Sequence, residues 1–139
     1  MFWAALCAAF FIDIVIAFNS HFPERSVSGW QVLLLILVYP VLEEIVFRGL
    51  LQSLLLKATG SRYCLAGVSY ANLMAALLFA LAHLPRVGGL FALWFFLPGL
   101  VFGFFRDRTG NLLPAILLHI LFNSIWFLVV EPLRLVTLV

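Results

Sequence analysis

Pro40-Val41-Leu42-Glu43-Glu44-Ile45-Val46-Phe47-Arg48-Gly49 places two adjacent carboxylates and an arginine inside an apolar run. That run extends from Trp30 to Leu56, and as a helix it spans about 40 Å, enough to cross a bilayer core with tilt. Near the centre of such a helix each charged side chain costs roughly 2.5 to 3.5 kcal/mol on insertion scales. Three charges this close together require partners or a water-lined cavity, which marks this helix as the functional one.

The 139 residues form a single domain, 1–139, and at 65% hydrophobic and 10% charged they have the composition of a membrane protein rather than of a water-soluble one. The net charge is +2 and the basic residues are scattered, so there is no nucleic-acid surface. Partners belong in or beside the lipid bilayer. Cys7 and Cys64 lack metal-type spacing and read as packing residues with free thiols. Phe2 to Phe18 is apolar but has no Lys or Arg before it and is interrupted by Asp13, which reads as a polar residue near a helix end. This stretch is expected to be a retained first helix.

Asn19 to Gly29 is a polar loop containing His21, and Trp30 to Leu56 is the second span, weakened by Pro40 one turn before Glu43. Lys57 and Gly60 close it. The third span is expected from about Tyr63 to Leu84, placing His83 in its last turn before Pro85. The fourth, about Leu90 to Phe105, has Gly99 and Gly103 spaced for close backbone approach. Arg106 to Asn111 reads as a loop, and Asn111 with Pro114 starts a fifth helix running to about Val130. The expected fold is therefore all-α, a polytopic membrane bundle of about five helices around a central polar cavity. Lys57, Arg62, Arg106 and Arg108 on one side, against Arg25, Arg86 and Arg134 on the other, favour an N-terminus inside.

Glu44 and Arg48 stand at i and i+4 and can pair on one helix face, while Glu43 points about 100° away. Glu43 is thus the carboxylate without a partner in its own helix, suited to act as general base. His83 comes from the third span, and His119 with Asn123, again at i and i+4, from the fifth. Two chemistries fit this set. In one, Glu43 takes a proton from a water attacking a peptide carbonyl, His83 orients that water, and His119 with Asn123 stabilises the oxyanion. In the other, Glu43, His83 and His119 form a His₂Glu zinc site with an open water position. The HExxH helix of many zinc peptidases is absent, which removes the positive evidence for a metal cofactor without excluding one, since ligands can come from different helices. A structural ion pair, two core histidines and a helix-bridging Asn are the bland alternative for the same residues.

Glu43-Glu44 followed by Arg48-Gly49, Phe79 with His83, and His119 with Asn123 preceded by Gly110 to Ile116 together resemble the CPBP (CAAX protease and bacteriocin-processing) family of intramembrane endopeptidases, which includes the Ras-converting CaaX endopeptidases. The resemblance spans residues 36–127. It implies an all-helical membrane peptidase with Glu43 as water activator, His83 as its partner, His119 and Asn123 on the oxyanion side, and Glu44 and Arg48 in support. It further implies a metal-free mechanism and a membrane-associated substrate: a prenylated CaaX protein, a bacteriocin precursor or a C-terminal sorting signal. The expected location is the inner membrane of a bacterial or archaeal cell. The substrate-binding residues are not legible. A non-enzymatic immunity or scaffold protein keeping the fold is the competing class; a proton-coupled carrier is opposed by the lack of repeats.

Overall fold

The computed structural model describes residues 28–60, 63–65, 67–87, 89–130 and 132. The expected first helix, Asp13, His21, Cys7, Arg25, Arg62 and Arg134 lie outside them, as does the side chain of Cys64. Within the described residues the chain is all-α apart from one small hairpin.

Helix α1 runs from Gly29 to Thr59 without a break. It starts in a capping box: Ser28 Oγ accepts from Gln31 N at 3.3 Å, and Gln31 Oε1 accepts from Ser28 N at 2.8 Å. It ends at Gly60, whose φ of 66° supplies the left-handed cap and sends its N–H to Leu56 O. Two stretches are wound in the wider π register, Leu34–Val38 and Ile45–Gln52, on either side of the α-helical Tyr39–Glu44. The first absorbs Pro40. Tyr39 donates its N–H to Leu34 O in the i to i−5 pattern. In that register Leu35 O would need a proton from residue 40, which as proline has none.

Tyr63–Leu65 (β1) and Val68–Ser69 (β2) pair antiparallel through a turn in which Gly67 has φ 79°. The expected third span therefore starts later, at Tyr70: Ser69 caps α2, Tyr70–Ala82, by accepting from Asn72 N, and such a capped extended residue cannot also be a helix interior. His83 is the C-cap rather than a last-turn residue, with its N–H on Ala80 O. After the short turn Leu84–Val87, Gly89–Phe95 is a 3₁₀ segment leading into α3, Phe96–Thr109. The expected loop from Arg106 to Asn111 is thus helical through Thr109, because Gly110, at φ 66°, provides the stop. Asn111 Oδ1 then accepts from Leu113 N at 3.0 Å and opens α4, Leu113–Val130.

Helices α2 and α3 pack most closely, α4 lies against α3, and α1 lies against α2 and α4. Small residues line the contacts: Ala71, Ala75, Ala76, Ala80 and Ala115 are buried, together with Phe79 and Phe102. The polarity is reversed relative to a water-soluble bundle. Leu42, Ile45, Val46, Leu50, Leu54, Leu117, Leu121 and Leu128 face outward, while Glu44, Arg48, Gln52, Asn72 and His119 are buried. Both α1 and α4 are long and apolar enough to cross a membrane.

Gly99 and Gly103 act as the sequence suggested. A Cβ on Gly99 would sit 3.3 Å from Ala76, and one on Gly103 would overlap the Asn72 amide and lie 2.9 Å from Gln52 Oε1. Gly103→Ala is expected to cost about 1 to 3 kcal/mol, read as a lowered unfolding midpoint in detergent. Gly29→Ala, at a position with nothing within 4 Å, is expected to leave the midpoint in place.

Candidate active site

Glu44 sits at the centre of the buried polar residues. Its Oε1 accepts from Arg48 Nη1 at 3.0 Å within α1 and from His119 Nδ1 of α4 at 2.8 Å. The carboxylate and the guanidinium are fully buried. Arg48 is further held by Gly99 O, which accepts from Nη2 at 2.9 Å, and by the Phe79 ring 4.5 Å from its guanidinium carbon. His119 is clamped between rings, stacked on Phe102 at 4.8 Å and edge-on to Phe79 at 5.7 Å. One carboxylate thus ties the imidazole of one helix to the arginine of another.

Glu43 lies next to this cluster but outside it. Its side chain is 26% exposed, and its Oε2 is 3.6 Å from His119 Nε2, beyond direct hydrogen-bonding range. The two glutamates face opposite nitrogens of the same ring. Glu44 Oε1 accepts the hydrogen bond from Nδ1–H, which leaves Nε2 turned toward Glu43.

His83 enters from the end of α2. Its Nδ1 bonds Phe79 O at 2.8 Å, and its ring stacks on Phe95 at 4.1 Å and leans on Phe79 at 4.6 Å. Phe79 therefore touches both imidazoles, which explains why a phenylalanine stands one turn before His83. Asn123 follows a different course. Its Nδ2 donates to Leu35 O at 2.8 Å, the carbonyl that Pro40 deprives of a helix donor. The residue expected on the oxyanion side also repairs the proline turn in α1.

A family model described as Rce1-like type II CAAX prenyl endopeptidase matches residues 25–125. The chain belongs to this family. No curated protein and no solved structure gives a significant match. As an Rce1-like endopeptidase the chain is a hydrolase and a protease, an integral membrane protein whose substrate is a membrane-associated protein. The matched interval contains all six residues singled out in the sequence.

The zinc arrangement was tested against the donor set. Among the described residues no three His, Cys, Asp or Glu side chains converge as metal ligands. Glu43, His83 and His119 are not such a group in this arrangement, although an Nδ1 bond to a carboxylate, as in His119, or to a backbone carbonyl, as in His83, is also how metal-binding histidines are oriented.

A second set of buried polar residues escaped the sequence reading. Gln52 continues the Glu44–Arg48 face by one more step of four, and its Nε2 donates to Gly103 O at 3.0 Å and to Asp107 Oδ1 at 2.7 Å. Asn72 Nδ2 donates to Leu100 O at 2.9 Å. The spacing of Gln52 was the available signal, whereas the acceptors are carbonyls and a residue assigned to a loop.

Replacing Arg48 by Met leaves Glu44 buried without its cation and is expected to destabilise the protein by about 3 to 5 kcal/mol. Adding Glu44→Gln is expected to recover part of that loss, which a double-mutant cycle of unfolding free energies in detergent checks.

Proposed function

We propose that this Rce1-like endopeptidase cuts a peptide bond of a membrane-associated protein, near its C-terminus or leader, by glutamate-activated water. The observation that carries the reading is the inequality of the two glutamates. Glu44 is fully buried and engaged twice, and the half-buried Glu43 faces the other nitrogen of the same imidazole.

Water within hydrogen-bonding distance of both Glu43 Oε2 and His119 Nε2 is compatible with their separation of 3.6 Å. Glu43 takes a proton from that water as its oxygen attacks the carbonyl carbon, and later passes it to the departing amine nitrogen as the C–N bond breaks. His83, its Nδ1 fixed by Phe79 O, orients the water. His119 and the second Nδ2 hydrogen of Asn123 serve the oxyanion, a role that requires His119 to carry a proton on Nε2 as well as the one on Nδ1, while Glu44 and Arg48 hold His119 in place. The ring stacking around His119 excludes competing rotamers, which is the preorganisation such stabilisation needs.

The wider reading is a multi-pass inner-membrane enzyme of a bacterial or archaeal cell with a polar cavity reaching Glu43. The family description supports a prenylated CAAX segment as the first substrate class; bacteriocin precursors and C-terminal sorting signals are the other classes to assay.

Glu43→Gln is expected to slow cleavage of a farnesylated CAAX peptide by at least 10² to 10⁴-fold, with helicity and unfolding midpoint retained, and His83→Ala is expected to act similarly. Unchanged cleavage by either variant contradicts the assignment. Purified active protein is expected to carry no stoichiometric zinc by elemental analysis and to withstand chelators; zinc lost in step with activity would replace the glutamate mechanism with a metal one.

A further inference from the structure

Away from the catalytic residues, one carboxylate joins three helices. Asp107, in the last turns of α3, accepts from Gln52 Nε2 of α1 at 2.7 Å through Oδ1 and from Ser69 Oγ at 2.6 Å through Oδ2. Ser69 in turn accepts from Asn72 N at 3.0 Å and caps α2. We propose that Asp107 is a positioning residue for the peptidase reaction, holding the π-wound segment of α1 in register so that Glu43 faces His119.

The argument starts from the winding of α1. A π-helix is rare and usually lasts a single turn, because its wider backbone is less favourable than the α form. The Ile45–Gln52 segment extends over eight residues, and both of its ends are fixed from outside. At one end Glu44, the residue before it, is bonded to His119. At the other, Gln52 is its last residue, and the Gln52 amide is held on Gly103 O and Asp107 Oδ1. Between them Arg48 is bonded to Gly99 O. Where the helix leaves the π register, Ser53 Oγ bonds Arg48 O at 3.1 Å and is itself donated to by Arg106 Nη2 at 3.1 Å.

If Gln52 is released, the segment can tighten to the α register. Each residue of excess winding removed turns the preceding helix by about 100°, which carries Glu43 away from His119 and strains the Glu44 bond. Through Ser69 the same carboxylate also fixes the start of α2, the helix that ends at His83. Asp107 touches no reacting group. Its effect is expected on turnover rather than on substrate capture.

This inference rests on the peptidase reading, so its test has one readout that does not depend on cleavage. The full chain is prepared in detergent micelles with ¹⁵N-labelled histidine, and cleavage of a farnesylated CAAX peptide is measured beside the His119 Nδ1 resonance. Asp107→Ala is expected to lower kcat at least tenfold, with KM within twofold, and to shift the His119 resonance. Asp107→Asn keeps an acceptor for Gln52 and gains a donor for Ser69 Oγ, so it is expected to return both readouts close to wild type, within threefold in kcat. If Asp107→Ala fails to fold, Gln52→Met removes the same bond from the other side and is expected to show the same loss and shift. An Asp107→Ala protein with unchanged kcat and His119 resonance overturns the proposal, and so does an Asp107→Asn protein as defective as the alanine variant, which would assign the effect to charge. If the wild type leaves this peptide uncut, the prenylated CAAX substrate class fails while the His119 resonance still decides whether Asp107 sets the register.

Discussion

The structure depends on the bond from His119 Nδ1 to Glu44 Oε1, reinforced on the same oxygen by Arg48. A carboxylate and a guanidinium removed from water each carry a desolvation penalty of several kcal/mol, and their attraction offsets it only when geometry is good and further polar groups complete the set. Here an imidazole, Gly99 O and the faces of Phe79 and Phe102 supply part of that set, while Glu44 Oε2 and Arg48 Nε are buried without a hydrogen-bond partner among the described residues. These partners come from α2, α3 and α4, so satisfying one ion pair of α1 fixes all four helices against one another. The chemistry follows from this fixing, since an imidazole held at one nitrogen can only turn the other toward Glu43.

The backbone irregularities serve the same end. Pro40 interrupts the helix one turn before the glutamates, a π turn absorbs the interruption, and Asn123 closes the carbonyl left open at Leu35. The glycines of α3 let its carbonyls reach the polar side chains of α1, with Gly99 O on Arg48 and Gly103 O on Gln52. An Ala in place of Gly103 would overlap Asn72. Close approach and polar satisfaction are therefore one feature: the small residues that bring the helices together also expose the acceptors that make buried charge tolerable.

Much of this was legible in the sequence. Charges in an apolar run are conspicuous, and i to i+4 spacing correctly paired Glu44 with Arg48 and left Glu43 apart. The glycine spacing in α3, the Gly60 stop and the extent of α4 were read from local rules that hold in any solvent. The hairpin before α2 was not, because the apolar character of Tyr63 to Ser69 is shared by strands and helices and only the Ser69 cap separates them. The helical continuation to Thr109 was hidden by the polar run from Arg106, which resembles a loop although Asp107 bonds Gln52 and Ser69 and Arg106 bonds Ser53. The bond of Asn123 to Leu35 O was hidden because its partner is a backbone carbonyl, and a backbone acceptor has no signature in a list of side chains.

The central claim, that Glu43 reacts while Glu44 supports, is tested most directly by labelling the folded protein in detergent with a hydrophobic carbodiimide and locating the adduct by peptide mass spectrometry. The half-buried Glu43 should be modified in step with loss of cleavage, and the fully buried Glu44 only after unfolding. Modification of Glu44 in the folded state, or complete modification of Glu43 with cleavage intact, would contradict the account.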